Sequence, residues 1–230
     1  MSTYTVEAFY LGVLDDLDTN EGDFDTENAA SLNGTTFGSE GDPLFQRTAK
    51  LTLTDSNSGG TIRENDAGGN DEPLTYDGVA SGLDSVTQYN VLVTYADGST
   101  ALTKMYLLQD ESGRSFLSPS ASGSADNDAL DDKPIESITV QSVAEDTFSR
   151  ITADLDQNAF VGQVDGTTGD DVIDASYSDA DGDRVNEADT RADVIDAGAG
   201  NDTVSSGAGD DMVYGGTGDD SLDGGEGDDT

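Results

Sequence analysis

The sequence predicts an all-β protein, in which an N-terminal antiparallel β-sandwich is followed by a C-terminal parallel β-roll. Three observations support this fold class. Several segments before residue 160 alternate apolar with polar residues, as half-buried strands do. No stretch sustains a 3.6-residue apolar period. From about residue 161, glycine and aspartate recur every nine residues.

The predicted sandwich domain covers residues 1–160. A hairpin is expected at Asp97-Gly98, and segment 26–32 (TENAASL) predicts at most a short helix. Loops rich in Gly, Asp, Asn and Ser join the strands, which favours an antiparallel arrangement. The strand candidates are TYTVEAFYLGV (3–13), QRTAKLTLTD (46–55), TQYNVLVTYADG (87–98), TALTKMYLLQD (100–110) and PIESITVQSV (134–143).

The charge of the chain is strongly negative, with 49 acidic and 9 basic residues and a net charge of −40. This balance excludes nucleic-acid binding through a basic surface and attraction to an anionic membrane, and it favours cations as partners. The chain has no His and no Cys, so Ser-His-Asp sites, Cys-His sites and zinc sites with thiolate or imidazole ligands are excluded. The abundant oxygen ligands are those that calcium prefers. The N-terminus has no signal-peptide pattern, and no apolar run predicts membrane insertion.

Residues 161–230 form the predicted roll, an even more acidic segment with 20 acidic and 2 basic side chains. Such a composition is also typical of disorder, but a disordered tail has no reason to keep apolar residues in phase. An apolar residue follows each repeating aspartate by two positions, as Val204, Val213 and Leu222 do. A nine-residue repeat fits one tight glycine turn and one short strand, so two repeats would make one coil with loops along both edges.

The segment NDTVSSGAGDDMVYGGTGDDSLDGGEGDD resembles the RTX (hemolysin-type) calcium-binding nonapeptide, G-G-x-G-x-D-x-U-x. The resemblance implies that calcium lies between loops of adjacent coils on the same edge. Asp202 and Asp220 would then share one edge, and Asp193, Asp211 and Asp229 the other. The loops that would offer carbonyl oxygens contain Gly198, Gly200, Gly207, Gly209, Gly216 and Gly218.

An earlier segment, Gly169–Asp174, repeats the pattern out of phase, which predicts a first coil with Asp171 as a ligand and an insertion at about 175–190. The insertion resembles an EF-hand loop, although its glycine falls at the fourth place instead of the sixth. A calcium site and a solvated loop are the two alternatives for this segment, and the sequence favours neither. Its candidate ligands are Asp179, Asp181, Asp183 and Glu187.

The N-terminal half resembles a β-rich domain found at the start of secreted alphaproteobacterial proteins with RTX repeats, some of which carry a self-cleaving Hint domain. The likeness lies in GTTFGSEGDPLF (34–45), YNVLVTYADGSTA (89–101) and PIESITVQSV (134–143). It implies type I secretion and calcium-driven folding outside the cell. The usual Cys nucleophile of Hint domains is absent, so self-cleavage is not expected from this chain.

We therefore expect a non-enzymatic, extracellular calcium-binding protein, such as a surface-layer, fibre or adhesin component. Its expected partners are calcium ions, further copies of the chain, or a cell-surface or matrix molecule. The alternative is the non-catalytic leading portion of a larger secreted enzyme or Hint-type protein. Since the sequence ends inside a repeat at Asp228-Asp229-Thr230, we expect the natural polypeptide to continue. A cytosolic calcium buffer fits less well, because the motif suits the high calcium outside cells.

Overall fold

The chain divides into two compact units, Met1–Leu130 with Ile135–Ala159 and Asp131–Pro134 with Phe160–Thr230. Each unit is considered separately below. The structure is a computed structural model, and it describes residues 1–15, 17–18, 26–55, 59–62, 72–121, 124–130, 133–145, 151–152, 155, 160, 162–180, 183–185 and 191–230.

The first unit is built of antiparallel strands with two short 3-10 helices, Ala29–Leu32 and Leu44–Gln46. The segment predicted to make a short helix therefore forms a 3-10 helix of four residues. The strands are β1 (Ser2–Val13), β2 (Thr36–Gly38), β3 (Thr48–Asp55), β4 (Thr61–Ile62), β5 (Pro73–Tyr76), β6 (Val79–Tyr95), β7 (Thr100–Asp110), β8 (Arg114–Ser118), β9 (Ile135–Glu145) and β10 (Ile151–Thr152).

Eight of these strands form one continuous sheet in the order β2-β9-β6-β5-β3-β1-β8-β7. An additional β6–β7 pairing joins the end of this sheet back to its middle and closes a ring of six strands. Strand β6 makes this possible because it is 17 residues long and pairs with β5, β7 and β9. A register shift between Leu83 and Ser85 marks a bulge where β6 changes partners.

The predicted hairpin joins β6 and β7, where Gly98 adopts a φ of 80°. This left-handed conformation is one that glycine reaches without steric cost. The interior is apolar, with Leu51, Leu74, Leu108 and Phe116 fully buried in one cluster. Alternation along β3 places every second side chain in the interior, as the sequence predicts.

The second unit consists of two parallel three-stranded sheets, β11-β13-β15 and β12-β14-β16. Successive strands along the chain alternate between the two sheets, which is the arrangement of a β-roll. The predicted all-β class, antiparallel first and parallel at the C-terminus, is confirmed. The strands are β11 (Gln163–Thr167), β12 (Val172–Ile173), β13 (Val194–Gly198), β14 (Thr203–Ser205), β15 (Met212–Tyr214) and β16 (Ser221–Asp223).

The strand register of the roll follows the nine-residue repeat. Paired residues in β13 and β15 are 18 positions apart (Ile195 with Val213), as are those in β14 and β16 (Val204 with Leu222), so two repeats make one coil. In the first coil the separation is 31 (Ile173 with Val204), so 13 residues are inserted there. An apolar core fills the space between the sheets: Val164, Ile173, Val185, Ile195, Ala197 and Val204.

Candidate metal centre

Two rows of aspartates lie at the corners of the roll, where the glycine loops join the strands. The first-edge row consists of Asp171, Asp202 and Asp220, and the second-edge row consists of Asp193, Asp211 and Asp229. On the first edge, the N–H of Asp171 donates to Oδ1 of Asp202 (2.8 Å), and the N–H of Asp202 donates to Oδ1 of Asp220 (3.0 Å). Each of these carboxylates therefore points back toward the preceding coil.

The second-edge row repeats this pattern. The N–H of Asp193 donates to Oδ1 of Asp211 (2.8 Å), and the N–H of Asp211 donates to Oδ1 of Asp229 (3.1 Å). The structure therefore brings together, on separate edges, the two sets of aspartates that the repeat resemblance implied. It also adds Asp171 to the first-edge row across the insertion.

The middle aspartates of both rows are buried and only partly satisfied. Asp202 and Asp211 are each 1% exposed, and the Oδ2 atom of each is buried without a hydrogen-bond partner in the described part of the chain. A buried, unpartnered carboxylate oxygen is costly, by at least about 1–3 kcal/mol. A divalent cation at the corner would remove this cost, so these residues fit a bound calcium ion.

The glycine corners stack so closely that a side chain would not fit. Gly218 has a φ of 141°, and a Cβ atom placed on it would overlap the carbonyl oxygen of Gly200 in the preceding coil. The stacked loops are joined by the N–H of Gly200 donating to the carbonyl of Thr217 and the N–H of Thr217 donating to the carbonyl of Gly198, both at 2.9 Å. The backbones of adjacent coils therefore contact each other directly at this corner.

Within the described residues, no three carboxylates converge as a metal-binding group. The rows instead stack one aspartate per coil at each corner. A calcium ion takes six to eight oxygen ligands, so a corner would complete the shell with backbone carbonyl oxygens and water. Asp171, Asp193, Asp202, Asp211, Asp220 and Asp229 would contribute the carboxylates.

The inserted segment places its candidate ligands differently. Both oxygens of Asp179 accept backbone N–H groups, Oδ1 from Asp183 (2.9 Å) and Oδ2 from Asp165 (3.1 Å). Asp179 therefore belongs to a hydrogen-bonded turn against β11 and not to either row. Asp181 and Glu187, the other two candidates, lie outside the described residues.

The structure shows a further row of side chains that the sequence reasoning missed. The N–H of Asn201 donates to Oδ1 of Asp170 (2.8 Å), and the N–H of Asp219 donates to Oδ1 of Asn201 (2.9 Å). On the other edge, the N–H of Asp228 donates to Oδ1 of Asp210 (2.9 Å). The signal was present in the sequence, because Asp or Asn precedes the repeating aspartate at each of these positions.

The comparisons with known proteins bear on the repeats. Residues 187–213 and 205–230 match the family described as the RTX calcium-binding nonapeptide repeat, in four copies. This confirms the resemblance of the C-terminal repeats. RTX nonapeptide repeats bind calcium ions, so calcium is the metal cofactor of these repeats. The matched region begins at residue 187 and does not reach the antiparallel unit. No curated protein and no solved structure matches the chain.

Proposed function

We propose that this protein is a non-enzymatic, extracellular structural or adhesive protein whose roll is held in its folded form by calcium. The observation that carries the calcium dependence is the pair of buried, unpartnered Oδ2 atoms of Asp202 and Asp211. These atoms lie in the region that matches the RTX repeat, so geometry and family agree on the ligand.

Electrostatics makes the bound cation a folding switch. Two carboxylates about 4 Å apart repel by about 4 kcal/mol at an effective dielectric constant of 20. One buried Val or Leu side chain contributes about 1.5–3 kcal/mol, and the roll core holds only a few such side chains. Calcium at the corners would turn this repulsion into attraction, so the free energy of binding becomes free energy of folding.

The location that suits this switch is outside the cell. Extracellular calcium modules have dissociation constants of roughly 10⁻⁴–10⁻³ M, far above cytosolic calcium, so such a site would be empty before export and filled after it. RTX proteins are typically exported by type I secretion, which supports an extracellular location for this chain. In the described part of the chain, no helix is long and apolar enough to cross a bilayer.

The antiparallel unit would supply the contact surface. Two exposed cross-strand hydrogen bonds lie along β9. One joins the hydroxyl groups of Thr36 and Thr139 (2.8 Å), and in the other the amide of Asn90 donates to the hydroxyl of Ser142 (3.0 Å). Leu102, on β7, is 72% exposed. Such a mixture of hydroxyl, amide and apolar groups on extended strands suits contact with another protein or a cell-surface polymer.

A retention assay tests the adhesive role. Beads coated with the full chain are expected to retain cells of the producing bacterium in millimolar calcium and to release them in EGTA. The double variant Asp202→Asn/Asp211→Asn should lose retention, while Asp42→Asn, which alters an exposed ion pair with Arg47 in the other unit, should keep it. Equal retention with calcium and with EGTA would contradict the proposal.

The alternative is that this chain is the non-catalytic part of a larger secreted enzyme. The intact mass and the activity of the natively produced protein distinguish the two proposals. A product larger than 23.8 kDa with hydrolytic or self-cleaving activity supports the alternative, and a native product without such activity supports the structural role.

A further inference from the structure

The insertion in the first coil is packed against the outermost strand of the roll. Strand β11 ends its sheet, since β13 lies on one side of it and no other strand of the described chain pairs with it. The N–H of Asp165, in β11, donates to Oδ2 of Asp179 (3.1 Å), and the carbonyl of Asp165 accepts the hydroxyl of Tyr177 (2.9 Å). Two side chains of the insertion thus bond backbone groups of the end strand.

The insertion also closes the apolar core at this end. Val185 is 4% exposed and belongs to the same cluster as Val164 and Ile173, and the ring of Tyr177 packs against that cluster. Val164 is 1% exposed and Ile173 is fully buried. In the last coil, by contrast, Leu222 is 48% exposed, although its register partner Val204 in the preceding coil is buried. The two ends of the roll therefore differ, with the first end covered and the last end open.

Carboxylates of the first coil are satisfied by hydrogen-bond donors of the protein itself. Oδ2 of Asp171 accepts both the N–H (2.7 Å) and the hydroxyl (2.8 Å) of Thr167. Oδ1 of Asp174 accepts the N–H (2.8 Å) and the hydroxyl (2.6 Å) of Ser176. These donors satisfy carboxylate oxygens of the first coil without a metal, whereas the unpartnered Oδ2 of Asp202 would need a bound cation.

The insertion further replaces a missing member of the second-edge row. The strand register aligns Gly162 with Asp193, so glycine stands where the row would continue. The carboxylate of Asp183 fills this place, since a Cβ atom on Gly162 would lie 2.9 Å from its Oδ1. The carboxylate at the first corner therefore comes from Asp183 in the insertion and not from a repeat.

We propose that Tyr177, Asp179, Asp183 and Val185 form a metal-independent cap that keeps the first coil folded when calcium is absent. The remaining coils then add to this preformed end as calcium binds. The second statement rests on the proposed calcium switch, whereas the first does not. Repeat arrays need a cap on their terminal repeats, which gives these four residues a clear role at the first end of the roll.

Hydrogen exchange of the full chain, followed by mass spectrometry of peptides, tests the cap. In EGTA, amides of residues 163–167 are expected to exchange at least about tenfold more slowly than those of residues 212–214, a difference of about 1.4 kcal/mol in opening free energy. Equally fast exchange at both ends in EGTA would overturn the cap. Failure of calcium to slow exchange at 212–214 would instead overturn the calcium switch, so the two failures are distinguishable.

Matched variants show whether the cap residues cause the slow exchange of residues 163–167. Tyr177→Phe and Asp179→Ala should speed exchange of residues 163–167 in EGTA. Tyr214→Phe and Asp228→Ala, which make the same chemical changes on exposed side chains in the last coil, should leave it unchanged. Protection that survives the combined Tyr177→Phe/Asp179→Ala change would also overturn the cap. Circular dichroism of each variant in calcium checks that the roll still forms.

Discussion

The backbone N–H of Asp193 lies 2.8 Å from Oδ1 of Asp211, a residue 18 positions later in the chain. The same relationship joins Asp202 with Asp220 and Asp211 with Asp229, so each coil is held to the preceding one by a charged side chain. One oxygen of the carboxylate is used in this bond. In Asp202 and Asp211 the other is buried and has no hydrogen-bond partner in the described chain, an arrangement that fits a bound cation.

Replacing Asp211 by Asn should weaken calcium binding at the second edge. The amide keeps the shape of the side chain and its acceptor for the N–H of Asp193, but it removes the negative charge. We expect the affinity measured by isothermal titration calorimetry to fall about tenfold or more, equivalent to about 1.4 kcal/mol. Asp223→Asn, on an exposed strand position, is the control. Unchanged affinity in Asp211→Asn would remove this residue from the site.

A side chain at Gly218 should destabilise the roll. Gly218→Ala places a methyl group against the carbonyl of Gly200 and holds alanine at a φ of 141°, at a cost of at least about 1–3 kcal/mol. We expect the thermal unfolding midpoint in calcium to fall.

Gly169 provides the matched control for this change, because it occupies the same loop position two coils earlier. A Cβ atom there would approach nothing closer than Oγ1 of Thr167, at 3.8 Å. Gly169→Ala should leave the midpoint nearly unchanged. Equal effects of the two substitutions would show that close stacking of the coils is not the cause.

The stability of the antiparallel unit should depend on a buried ion pair. Arg114 Nη2 lies 2.6 Å from Oδ2 of Asp110, whose side chain is fully buried. Arg114→Ala would leave that charge without its main partner, and we expect a loss of about 3–5 kcal/mol in the free energy of unfolding. Arg47→Ala, which breaks an exposed pair with Asp42, should cost about 1 kcal/mol or less. Urea denaturation compares the two, and similar losses would contradict the argument.

Alkaline pH should loosen the first coil. Burial raises the pKa of the Tyr177 hydroxyl above its ordinary value of 10.0, and the charges of Asp171, Asp179, Asp165 and Asp202 add to this. Because the pKa is higher in the folded state, this group's contribution to stability is complete below pH 10 and is lost as pH rises through the folded pKa.

Hydrogen exchange at residues 163–167 in EGTA, measured on either side of pH 10 and corrected for intrinsic rates, checks this expectation. Protection should decrease at the higher pH in the native chain. In Tyr177→Phe, which cannot ionise, protection should show a smaller change. An identical pH response of the two proteins would assign the effect to another group.

The nine-residue spacing was enough to predict the edge of every row aspartate that follows the insertion, but not that of Asp171. Each repeat contributes half a coil, so the position of a corner follows directly from counting along the chain. The half coil containing Val164 could not be predicted this way, because Gly162 replaces the aspartate and Asp183 reaches the corner from the insertion. The length of the insertion became clear only from strand pairs such as Ile173 with Val204.

In the antiparallel unit, the local alternation of apolar and polar residues predicted strands, but it did not predict that they close into a ring. The sequence indicated that a strand begins at residue 87, whereas β6 begins at Val79. The earlier start was missed because Ser81, Gly82 and Asp84 interrupt the alternation of apolar and polar residues. The β6–β7 pairing that closes the ring depends on a 17-residue strand with three partners. Such pairings join residues far apart in the sequence, so a local pattern contains no information about them.

The central claim is that calcium occupies the corners between stacked coils and holds them together. Diffraction from crystals of the full chain grown in calcium, at a wavelength where calcium scatters anomalously, tests it most directly. We predict anomalous peaks beside the carboxylates of Asp202 and Asp211, next to the oxygens that lack a partner. An ordered roll with the same strand register and no metal at these corners would contradict the account.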